Sequence, residues 1–292
     1  MRRTPLALLA LPLLLTTVAC APKSDSTTGS ASSGSSSASS SAASCDAGSL
    51  APKTKGTLTI GTSKPAYDPW FSGNDPTNGK GFESAVAYAV GKQLGFEPSQ
   101  VTWTNVPFNN SYAPGAKSFD FDINQISITP ARAKVVDFST GYYSAAQAVI
   151  ALKKKNVQAG SLADLKGLRL GAQTGTTSLT AIRDDIEPTK APLVFNNTNT
   201  AKQALLNDQV DAIVADLPTA FYITAAEIDN STIVGQFQQT GGAPEEFGLL
   251  FEKGSKLRSC VDQALSTLTE DGTLAALQKR WLSETVDVPV LK

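Results

Sequence analysis

Apolar residues recur along this chain with two alternating periods. GTLTIGT (56–62) sets Leu58 and Ile60 on one face of a short extended run, and FESAVAYAVGKQL (82–94) carries Phe82, Val86, Val90 and Leu94 at helical spacing, with Gly95 as its stop. Strands are predicted for VTWTNV (101–106) and AQAVIAL (146–152). The second half repeats this grammar. LRLGA (168–172), VDAIVA (210–215) and FGLLFE (247–252) read as strands, and TTSLTAIRDDI (176–186), TAKQALLND (200–208) and PTAFYITAAE (218–227) as helices. Two amphipathic helices close the pattern, with Leu257, Val261, Leu265 and Leu268 on one face of the first. Such alternation implies an α/β fold with parallel sheets covered on both faces, and two such halves imply two lobes around a cleft.

One stretch breaks the pattern. In FDFDINQISITPAR (119–132) the apolar residues 119, 121 and 123 change parity at Ile126 and Ile128, next to a Thr-Pro-x-Arg. Thr129 suits a helix N-cap and Pro130 the first helical position, which puts Arg132 in the first turn. A cation conflicts there with the positive end of the helix, and an anion resolves the conflict: either a ligand carboxylate held by the guanidinium fork or a structural ion pair with Asp137 or another acid. In the second half, LRLGAQTGTTS is a strand, a glycine turn and a helix start whose free N–H groups and hydroxyls, at Thr176, Thr177 and Ser178, face the same strand-end region. Asp216 follows an apolar strand, and Pro218 weakens its role as a simple cap. A cationic fork, a ring of N–H donors and one carboxylate complement a zwitterion.

The termini change the picture in another way. Met1, Arg2 and Arg3 precede LALLALPLLLTTVA, an apolar segment too short for a stable membrane span and read as an export signal over 1–19. Ala19 and Cys20 resemble a bacterial lipoprotein processing site, with Cys20 as the acylated first residue. From Ser24 to Ser44 the composition is Ser, Ala, Gly and Thr, which cannot bury enough surface to fold. We expect residues 20–55 to form a lipid-anchored tether, of which about 25 flexible residues give an r.m.s. reach of roughly 25–30 Å. The body is then divided as 56–145 (first lobe), 146–246 (second lobe) and 247–292 (return to the first lobe). In an oxidising setting Cys45 and Cys260 form an even pair, most simply a disulfide.

Composition narrows the chemistry. Without Arg2 and Arg3 the formal charge moves from -1 to -3, and the one basic cluster, Lys153 to Lys155, is short, so nucleic acid is not an expected partner. The sequence holds no histidine, which removes His-based triads and the usual zinc ligand sets. No cofactor or metal is expected.

IGTSKPAYDPW, GFESAVAYAVGKQLG, SITPARAKVVDFS, LRLGAQTGTTS, VDAIVADLPTA and FGLLFEKGSKLRSC together resemble the bacterial extracellular solute-binding proteins of family 3, the polar amino-acid type that serves ABC importers. The resemblance covers 56–285. It implies a two-lobed, type II periplasmic-binding-protein-like fold with crossovers near 143–148 and 243–250 and a ligand trapped by hinge closure. It further implies that Arg132, Ser127 and the turn at Thr177 hold the ligand carboxylate, that Asp216 takes the ammonium, and that Tyr67 and Phe108 sandwich the side chain. Gln125 joins these as a candidate contact.

The expected role is therefore a monomeric, lipid-anchored receptor on the outer face of the cell membrane that delivers a polar amino acid to a permease. Asp122, Asn124 and Gln125 favour a polar side chain and Lys64 an acidic one, so glutamate, glutamine, aspartate and asparagine stand together. The competing readings are a cyclohexadienyl-type dehydratase working in the same cleft, with Lys64 as proton donor, and a binder of a different small anion.

Overall fold

The computed structural model describes residue 45 and residues 48–239, 244–282 and 288–292. The expected export signal and Cys20 lie outside the described residues. Among the described residues ten strands run in chain order as β1 (Leu58–Thr62), β2 (Val101–Asn105), β3 (Phe121–Asp122), β4 (Asp137–Ala145), β5 (Gln147–Leu152), β6 (Leu170–Gln173), β7 (Leu193–Phe195), β8 (Ala212–Asp216), β9 (Ser231–Phe237) and β10 (Glu245–Phe251). The α-helices are α1 (Phe82–Gln93), α2 (Phe108–Ser111), α3 (Pro130–Ala133), α4 (Thr177–Ala181), α5 (Thr198–Leu206), α6 (Leu217–Tyr222), α7 (Arg258–Glu270) and α8 (Thr273–Trp281).

The strands form two five-stranded sheets, ordered β2-β1-β3-β10-β4 and β7-β6-β8-β5-β9. In the first lobe α1 buries Phe82, Val86 and Val90 against Leu58, Ile60 and Phe121, and α7 adds Val261 and Leu265 to the same core. In the second, every residue of β5 is buried, because Val149 faces one layer of helices and Ile150 the other. This two-sided burial explains the unbroken apolar run in the sequence.

Both sheets are mixed rather than purely parallel. β10 runs antiparallel to β3 and β4, and β5 runs antiparallel to β8 and β9. The reason is the crossover: β4 and β5 carry the chain between lobes through Ala146, β9 and β10 bring it back, and strands that cross side by side in opposite senses pair antiparallel. The sequence reading omitted β4 and β9, whose apolar residues are interrupted by Ser, Thr and Gly, and β7, which is only three residues long.

Two segments lie elsewhere than expected. The end of the proposed tether belongs to the body: the Lys53 N–H donates to Asp120 Oδ1 at 2.7 Å, its ammonium pairs with Glu252 at 2.8 Å, and Leu50 packs on the first core. Cys45 is joined to Cys260 of α7, with Cα atoms 5.3 Å apart. The C-terminal residues 288–292 leave the first lobe, where 247–292 had been expected to stay. Val290 pairs with Gln236 of β9, and Leu291 fills the second core in the space that Gly235 leaves.

Candidate ligand-binding cleft

The loop after β3 begins with a forced turn. Gln125 has φ +48°, a left-handed conformation that a non-glycine residue adopts only when held. Glu83, in the first turn of α1, does the holding: its carboxylate accepts the Gln125 N–H at 2.7 Å, the Gln125 side-chain amide and the Tyr142 hydroxyl. Full burial raises the Glu83 pKa to about 7. The turn is the origin of the parity change at residues 124–126. Beyond it the chain pairs with β10, where the Ile128 N–H donates to Glu246 O at 2.8 Å and Ser127 bridges Phe247. Ser127 is thereby fixed beside the hinge.

Thr129 caps α3 as the sequence predicts, accepting the Arg132 N–H at 3.2 Å, with Pro130 as the first helical residue. The Arg132 guanidinium is buried. It donates to Ser127 O at 2.7 Å and, across the lobes, to Gly175 O at 2.8 Å, and it lies 4.6 Å from the Tyr112 ring centroid and 5.7 Å from that of Phe108. Among the described residues no carboxylate forms a salt bridge with it. Asp137, the alternative partner, pairs instead with Lys253 at 2.8 Å. Burial depresses the Arg132 pKa, and the charges of Glu245 and Asp216 act in the opposite direction.

A cavity of about 60 Å³ lies between the lobes; Arg132 is not among its lining residues and instead lines a neighbouring groove with Tyr112, Gly175 and Thr177, the last of which lines both. Of the expected ligand contacts, Tyr67, Phe108, Gln125, Ser127, Thr177 and Asp216 all line this cavity. Tyr67 also reaches the second lobe, its hydroxyl accepting the Asn199 N–H at 3.4 Å beneath the Lys202 ammonium. The side-chain amide of Gln125 is spent on Glu83. Asp216 is the one charged side chain among the described residues that line the cavity, and burial together with nearby Glu245 raises its pKa well above the carboxylate range.

Sequence reasoning did not single out Ser63, which lines the cavity, or Gln147 and Glu245, which hold several of the lining side chains without lining it themselves. Ser63 donates to Asn124 Oδ1 at 3.0 Å, which leaves the buried Asn124 Nδ2 without a partner at the cavity edge. Gln147, buried at the crossover, donates to Asp216 Oδ1 at 3.0 Å and Glu245 Oε2 at 2.9 Å and accepts from Ser178 Oγ at 2.6 Å. Glu245 Oε1 accepts from Ser127 Oγ at 2.5 Å and Thr177 Oγ1 at 2.6 Å. A lone amide heading the apolar run AQAVIAL was the available signal for Gln147. Glu245 carried none, since Glu-Glu before a strand reads as a solvated turn.

Two residues with open roles are now located. Lys64 is exposed and lines a groove beside Asp75 and Trp103, outside the cavity wall. Asp122 is buried against Gly61 and accepts from Ser111 Oγ at 3.1 Å, also outside that wall. Its Oδ1 has no partner, and burial reinforced by the charge of Glu83 raises its pKa to about 8.

The family model for bacterial extracellular solute-binding proteins, family 3, matches residues 58–284. The chain belongs to this family. It is 30% identical over 239 residues to the L-cystine-binding protein TcyJ of Escherichia coli (strain K12), covering 80% of this chain and 85% of that one. It is 29% identical over 248 residues to the arginine-binding extracellular protein ArtP of Bacillus subtilis (strain 168), covering 82% and 90%. The solved structure of an ancestral arginine-binding protein bound to glutamine superposes with a TM-score of 0.66 at 30% identity, over 79% of this chain and 100% of that one. As a family-3 protein, the chain is a non-enzymatic component that binds an amino acid and delivers it to an ABC permease. The dehydratase reading also loses its proton donor, because Lys64 is outside the cavity.

Proposed function

We propose that the cleft traps an α-amino acid with a neutral polar side chain, bound as a zwitterion. The carboxylate lies at Ser127 and Thr177, with Arg132 supplying positive charge from the neighbouring groove, and the ammonium meets Asp216. The side chain lies between Tyr67 and Phe108, within reach of Asn124. The observation that carries this reading is the cavity wall itself, whose one charged group among the described residues is Asp216 and whose Asn124 amide nitrogen lacks a partner. A buried unpaired donor costs about 1–3 kcal/mol, so a ligand carbonyl or hydroxyl placed there is favoured over an apolar side chain. With Lys64 outside the wall, nothing favours an acidic side chain, and glutamine and asparagine come before glutamate and aspartate.

Micromolar affinity corresponds to about -8 kcal/mol, within the range of a charge-paired zwitterion closed away from water. Relatives named for cystine, arginine, histidine and glutamine support an amino-acid ligand while differing in side chain. We read Cys20 as a lipid anchor at the outer face of the cell membrane and the receptor as a monomer. Arg132→Ala tests the site: calorimetry with L-glutamine is expected to show at least a hundredfold loss of affinity while circular dichroism stays native, and unchanged affinity would refute the assignment.

A further inference from the structure

Glu245 stands where the ligand carboxylate is expected. Its Oε1 accepts both the Ser127 and the Thr177 hydroxyl protons, at 2.5 and 2.6 Å, with the two hydroxyl oxygens 3.2 Å apart. A hydroxyl has one proton to donate, so both are spent. The second oxygen, Oε2, takes one of the two Gln147 amide protons, and Asp216 takes the other. Both hydroxyl donors expected to hold the ligand carboxylate are thus taken by the protein's own side chain, carried on the first residue of β10 beside the crossover. Arg132, in the neighbouring groove, forms no salt bridge among the described residues, and its charge is opposed at longer range by Glu245 and Asp216.

We infer that Glu245 is a resident competitor for the carboxylate subsite, so that ligand uptake exchanges one carboxylate for another and Glu245 sets the affinity for carboxylate-bearing ligands. This rests on the amino-acid reading given above. Two carboxylates cannot share one pair of hydroxyl protons, and Asp216 makes a second anion beside Glu245 still less favourable. The Glu245 carboxylate therefore leaves Ser127 and Thr177 when a ligand carboxylate arrives. A ligand without a carboxylate leaves it in place.

The test is calorimetry of the wild-type protein, E245A and E245Q with two probes, L-glutamine and L-glutaminamide, which carries an amide in place of the carboxylate. E245A is expected to bind L-glutamine at least tenfold more tightly than wild type, E245Q to gain less because it keeps an acceptor oxygen, and both to gain less for glutaminamide, whose neutral amide competes less strongly for the hydroxyl protons, than for L-glutamine. Native circular dichroism is the control for folding, and E245Q carries the comparison if E245A does not fold. A wild-type protein that binds L-glutamine, with variants that bind it equally or less tightly, overturns the competition and leaves the amino-acid reading intact. Failure of all three proteins to bind any of the twenty amino acids overturns that reading, and the competition with it.

Discussion

Arg132 of the first lobe donates to the carbonyl of Gly175 in the second at 2.8 Å, so the arginine proposed to serve the ligand carboxylate also makes a contact between the lobes. Gly175 has φ +75°, its carbonyl also accepts from the Tyr112 hydroxyl at 3.2 Å, and a Cβ placed on it would run into Asn109 and Tyr112. Opening the lobes relieves that clash.

Gly175→Ala is therefore expected to disfavour the closed state. Affinity for the amino acid falls at least tenfold, small-angle scattering with ligand shows a larger radius of gyration than wild type, and the unliganded melting temperature changes by only a few degrees. Wild-type affinity in this variant would show that closure does not depend on the Gly175 contact.

Much of the fold was legible from pattern, because α1, α5, α7 and α8 are long enough to carry a clear repeat and β5 is a continuous apolar run. The cleft was legible where a local rule failed: the parity change traces to Gln125, held left-handed by Glu83, and the first-turn arginine to a buried cation without a salt bridge among the described residues. The antiparallel crossing of β10 and the return of Leu291 to the second lobe were not legible, since both are set by contacts between residues distant in sequence. Gln147 and Glu245 escaped for the same reason, each taking its meaning from hydroxyls and acids distant in sequence.

Asp122 and Glu83 are expected to make stability depend on pH. Their folded pKa values, about 8 and about 7, lie above the ordinary 3.8 and 4.5, so the folded state binds more protons between these limits. Stability is then greatest in mild acid and declines as pH rises toward 8. Asp122→Asn mimics the neutral acid, and its urea-unfolding free energy is expected to fall less between pH 5 and pH 8 than that of wild type, by on the order of 1–2 kcal/mol. An undiminished fall would place the effect elsewhere. Ligand affinity is expected to stay within about threefold, because Asp122 is not on the cavity wall.

The Cys45–Cys260 bond spans 215 residues and lies on the first-lobe core, away from the cavity wall. Chain-entropy reasoning gives it about 5 kcal/mol against the unfolded state. Cys45→Ser is expected to lower the free energy of unfolding by a few kcal/mol with amino-acid affinity within about twofold of wild type. A large loss of affinity at unchanged stability would couple this bond to the cleft.

The most direct measurement is a calorimetric titration of the purified protein with each of the twenty amino acids. Binding is expected to be tightest for a neutral polar residue, glutamine or asparagine, weaker for glutamate and aspartate, and reduced by loss of the ligand's α-ammonium, the group proposed to meet Asp216. Preference for an acidic or aliphatic side chain, or equal binding of an analogue without the ammonium, would contradict the account.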